Sequence, residues 1–81
     1  MTNYKLYIPP DNKHIFRCEI YNNDIFQRSM EYHIINPSFS NEMNMVIIID
    51  KVSRDLCISK EKLEYPLRQL FLFGEYSFSL K

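Results

Sequence analysis

Four side chains in this 81-residue sequence carry the soft or basic atoms that ligate metals or act as nucleophiles and bases: His14, Cys18, His33 and Cys57. His14 and Cys18 stand four apart in a stretch that alternates like a strand, and four strand steps span roughly 13 Å. Two ligands on one ion, each bonded at about 2.0–2.3 Å, cannot be so far apart. A metal site would need Cys57 to meet His14 or Cys18 across strands. The simpler expectation is two reduced, unreactive thiols, buried as small hydrophobes. Glu31 and His33 share one face of a strand, about 6.6 Å apart along it. An acid–base pair there would need a pocket that shifts its pKa values, and no spacing in the chain points to one. Phosphate cradles need several glycines, and the sequence has one, Gly74. The chain therefore reads as non-enzymatic, with no catalytic residue, no metal and no cofactor.

Charge narrows the partners. Ten bases balance ten acids, whereas a module that neutralises several phosphates shows a basic excess. Nucleic acid is an unlikely partner on that ground. Lys5-Tyr7 and Arg17-Glu19-Tyr21 offer only a faint version of the aromatic and basic platforms that bind single strands. Residues 29–50 hold Glu31, Glu42 and Asp50 and no base, a candidate acidic patch for a partner protein with a basic surface. No apolar segment reaches the ~18 residues of a membrane span, and the first residues lack a signal pattern. Two cysteines are too few for a disulfide framework. The chain is expected in the cytoplasm of a bacterium or of an infected cell. The absence of Ala and Trp, beside many Ile, Asn, Tyr, Phe and Lys, matches A/T-rich coding of the kind found in phages, viruses and mobile elements.

The elements that position these residues follow from periodicity. Residues 3–8 alternate, with Tyr4, Leu6 and Ile8 on one side. "PPDN" at 9–12 ends that strand by turn chemistry. Residues 13–21 form a second strand with Phe16, Cys18 and Ile20 inward. The run 22–24, Asn-Asn-Asp, tolerates positive φ and predicts a hairpin. A three-residue loop pairs Ile20 with Phe26, Phe16 with Met30 and His14 with Tyr32, leaving Arg28 on the apolar face beside Cys18. Residues 36–41 read as loop. "MVIII" at 45–49 reads as a central strand, "DKVSRD" as a turn, and "LCIS" at 56–59 as a short returning strand.

Residues 60–73 read as a helix, with Leu63, Leu67, Leu70 and Phe71 on one stripe and Ser59 as its N-cap. Pro66 either begins the regular helix or kinks it, and Gly74 ends it. Residues 75–81 alternate as a last strand, with Tyr76, Phe78 and Leu80 inward. The fold class is α+β: one domain over 1–81, a twisted, mainly antiparallel sheet of five to six strands with one helix near the C-terminus packed on a face.

On helix phase, Leu72 falls opposite the core stripe, while Phe73 falls to one side and is expected to be covered where the last strand returns at Gly74; with Tyr65 and the acids Glu31, Glu42 and Asp50, both are candidate partner-binding residues. The function expected is that of a small inhibitor or adaptor of mobile-element, phage or viral type. It would be an immunity or anti-defence protein that occludes a partner protein sterically, with homodimerisation possible. The alternatives are a small nucleic-acid-associated protein and a minor structural subunit of a larger assembly.

Overall fold

A computed structural model describes residues 1–34 and 41–80. The element order is β1 (Thr2–Tyr7), β2 (Ile15–Asn22), β3 (Ile25–His33), α1 (Asn41–Leu56), α2 (Lys60–Phe73) and β4 (Glu75–Leu80). The four strands make one antiparallel sheet in the order β3-β2-β1-β4, and both helices pack on one of its faces. The α+β class stands. The five to six strands and single helix do not, because among the described residues there are four strands and two helices.

The apolar run at 45–49 belongs to α1, not to a central strand. Five consecutive β-branched or flexible apolar residues satisfy either period. The deciding pattern is longer than the run: Met45, Ile48, Ile49, Val52 and Leu56 recur at helical spacing and all pack in or against the core. Val46, inside the same run, is left exposed. "DKVSRD" is therefore helix, and "LCIS" is the helix end rather than a strand. Cys57 takes a left-handed φ of 56°, and the Ile58 amide donates to the Ser53 carbonyl at 3.3 Å. That is a Schellman-type stop. The Ser53 hydroxyl secures it by donating to the Ile58 carbonyl at 2.6 Å.

The hairpin register also differs from expectation. The loop is two residues, Asn23 and Asp24, with φ of 51° and 66°, the twist-matched turn that Asn and Asp permit. A two-residue loop alone would send apolar residues to both faces. A bulge between Ile20 and Tyr21 inserts one β3 residue and restores the parity, so Phe16 meets Tyr32, Cys18 meets Met30 and Ile20 meets Arg28. Phe26, placed before the bulge, sits opposite Tyr21 instead of Ile20. The expectation for residues 36–40 lies outside the described residues, and Asn41 opens α1.

α2 begins at Lys60 and runs through Pro66. Leu63, Leu67 and Leu70 are all buried, so the proline does not reset the helix phase. Ser59 is the N-cap by position, with no side-chain cap bond. Gly74 (φ 83°) closes α2, its amide donating to Leu70 at 2.7 Å, and delivers the chain into β4. There Tyr76, Phe78 and Leu80 alternate with exposed Glu75, Ser77 and Ser79. The core joins Leu6, Phe16 and Cys18 of the sheet to Val52, Leu63 and Leu67 of the helices. Phe16 sits at its centre, stacked on Tyr32 at 5.1 Å and edge-on to Phe71 at 6.0 Å. Tyr32 also donates to Asp55 Oδ2 at 3.0 Å, tying β3 to α1.

Candidate interaction surface

With both helices on one side, the strands' alternate residues form a face directed away from them. It carries Lys5 and Tyr7 from β1, Arg17, Glu19 and Tyr21 from β2, and Phe26 and Glu31 from β3, in register. Glu19 organises its middle. The Tyr7 hydroxyl donates to Glu19 Oε2 at 3.2 Å and the Tyr21 hydroxyl to Oε1 at 2.7 Å. The bond to Glu19 raises the Tyr21 phenol above its ordinary pKa. Lys5 Nζ lies 5.7 Å from the centre of the Tyr7 ring, and Phe26 stands edge-on to Tyr21 at 5.7 Å. Arg17 Nε meets Glu31 Oε1 at 3.0 Å. Tyr7, Arg17, Glu19 and Tyr21 are half-buried, and Phe26 is exposed. At the start of β2, Ile15 on the same face is buried.

The three acids expected to form a patch are not on one surface. Glu31 lies on this open face, paired with Arg17. Glu42 stands in the first turn of α1 and meets Arg68 of α2 at 3.7 Å. Asp50 accepts from Lys60 at 2.9 Å and from Arg54. Hydrogen bonds from Lys60 and then Arg54 hold its carboxyl below the usual range. Each acid has a basic partner within the chain, so the cluster that residues 29–50 present in sequence is dispersed by the fold. The helix-borne candidates are on the surface: Leu72 and Phe73 are 71% and 72% exposed, and Tyr65 is 61% exposed with its ring edge-on to Tyr76 at 5.8 Å. Phe26 was not singled out by sequence, because its face depends on the bulge.

The cysteines divide. Cys18 is fully buried under the sheet, and desolvation pushes its thiol up to about 11. Cys57, expected buried, is exposed, because the left-handed stop at the end of α1 turns it outward. Among the described residues, no three His, Cys, Asp or Glu side chains gather closely enough to hold a metal ion, no polar or charged residue is buried, and no helix is long and apolar enough to cross a membrane. Comparison of the chain with protein-family models, curated proteins and solved structures finds no match.

Proposed function

We propose that the chain is a non-enzymatic protein-binding module that acts by occluding a partner protein, as immunity and anti-defence inhibitors do. One observation carries this reading: the sheet face away from the helices holds Tyr7, Tyr21 and Phe26 among Lys5, Arg17 and Glu19, with both phenols already pinned to one carboxylate. Tyr and Arg dominate the energetics of protein interfaces. Side chains held before binding lose less entropy on docking, where each rotamer-rich side chain immobilised costs about 0.5–1.5 kcal/mol. The internally paired acids favour a mixed polar partner surface over a strongly basic one.

The test is affinity capture from the native host with wild type beside a Tyr21→Ser/Phe26→Ser variant. Both positions lie outside the core cluster, so the variant is expected to fold. A protein held by wild type and released by the variant supports the reading. The nucleic-acid alternative draws on the same aromatic and basic residues. A polarisation titration showing sub-micromolar binding to single strands at physiological salt would overturn the protein-partner reading in its favour.

A further inference from the structure

The two edges of the sheet are built differently. β3 carries devices that discourage pairing with another strand: a bulge interrupts its ladder, and Arg28 stands on the apolar side opposite Ile20. β4 has neither. Its ladder with β1 runs from Thr2↔Leu80 to Tyr7↔Glu75 without a shift, and residues 76–80 contain no charge and no proline.

The backbone of β4 is directed for further pairing. The Ile8 amide donates to the Gly74 carbonyl at 2.9 Å, and in an antiparallel ladder such bonded pairs alternate with unbonded ones. Tyr76, Phe78 and Leu80 therefore turn their amides to β1, and Glu75, Ser77 and Ser79 turn theirs outward. Beside this edge, on the helix side, stand Tyr65 in contact with Tyr76 and Phe73 immediately before Gly74.

We propose that β4 pairs antiparallel with β4 of a second copy of this chain, about a two-fold axis at Ser77. That axis sets Ser77 against Ser77 and Glu75 against Ser79 on the polar side. On the helix side it sets Tyr76 against Phe78 twice, an aromatic cross-strand pair of the kind that stabilises sheets. The strand is thus self-complementary. The contact is closed, because each copy uses the one edge that the other also uses, which is why a second copy suits it better than an unrelated strand. Tyr65 and Phe73, at 61% and 72% exposure, leave on the order of 100–150 Å² each to be covered. Two copies bring roughly 500 Å² from these rings, and the strands with Tyr76, Phe78 and Leu80 carry the total to the ~1,000 Å² of a weak but specific interface. The association is accordingly weak. It does not rest on the partner-docking reading, and the extended sheet leaves the open face free on both copies.

Sedimentation of the full chain tests this, with circular dichroism as the check on folding. Wild type is expected to dimerise with a Kd of about 1–100 μM, as an interface of that size implies. Ser77→Pro removes an outward amide and no bond to β1, a placement proline tolerates on edge strands, so it should raise Kd at least tenfold with the fold retained. Ser77→Glu and Ser77→Lys each set like charges across the axis and should dissociate alone, while their equimolar mixture re-associates. This pair decides the matter should Ser77→Pro unfold. Wild type that stays monomeric at about 300 μM, well above that Kd range, overturns the proposal. So does dimerisation of both charge variants alone with the wild-type Kd, or a mixture that fails to recover it.

Discussion

Replacing Tyr32 by Phe removes one hydroxyl and leaves the ring, so it isolates the bond that ties β3 to α1. Tyr32 is 8% exposed and donates to Asp55 Oδ2 at 3.0 Å; a second contact, to Met30 Sδ at 3.9 Å, is weak. Hydrogen bonds to charged groups contribute about 1.5–3 kcal/mol. Asp55 is exposed and regains water when the hydroxyl is gone, which places the loss near the lower end, about 1.5 kcal/mol. Phe keeps the stacking on Phe16, so no cavity term is added. Urea unfolding is the assay. A domain of this size has a slope of about 1 kcal/mol/M, so the midpoint should fall by about 1–1.5 M with the slope unchanged. Asp55→Ala should cost as much or more, since it leaves the buried phenol unpaired. The double variant should then fall short of the sum, because residues in contact do not add. A Tyr32→Phe midpoint within about 0.2 M of wild type, or strict additivity with Asp55→Ala, would refute the bond's role in holding β3 to the helical layer.

Three further outcomes follow from burial. Leu70→Ala should cost about 2–5 kcal/mol, because Leu70 is fully buried, while Leu72→Ser should stay within about 0.5 kcal/mol of wild type, because Leu72 is 71% exposed; equal thermal destabilisation of the two would break the helix phase. Cys57 should react with a thiol reagent at once and Cys18 only on unfolding, read by mass spectrometry. Because burial raises Cys18 from 9.0 to about 11, the fold favours the neutral thiol. The native state then binds more protons than the unfolded chain between those values, so this contribution is intact below pH 9 and declines as pH rises toward 11. Cys18→Ala should show a shallower alkaline loss of stability than wild type, and parallel curves would remove Cys18 as a cause.

What the sequence revealed and what it hid separate by range of interaction. β1, β2, α2 and β4 were legible because each has a single clean period and its own punctuation: "PPDN" after β1, Gly74 between α2 and β4. α1 was not, because the run at 45–49 fits two periods. The choice between them is made by Val52 and Leu56, which share one core with Leu63 and Leu67 of another helix. The hairpin failed in a similar way. Asn22-Asn23-Asp24 announces a turn but not its length, and the length is settled by a bulge that depends on which side of β3 must reach the core.

The candidate surface divides along the same line. Exposure of Leu72 follows from helix phase, a local property, and was readable, whereas Phe73, expected to be covered by the returning last strand, is 72% exposed. The grouping of Glu31, Glu42 and Asp50 rested on nearness in sequence, whereas charges interact through space. Arg17 is 14 residues from Glu31, and Arg68, the partner of Glu42, belongs to the other helix. A stretch without bases says little about local potential when the sheet and the helix pair bring bases in from elsewhere. The open face gains its character by the same route: Glu19 stands between Arg17 and Tyr21 along β2, and becomes the acceptor of two phenols only when β1 brings Tyr7 beside it. Surfaces made by strand pairing are therefore the part of this protein that the linear chain displays least.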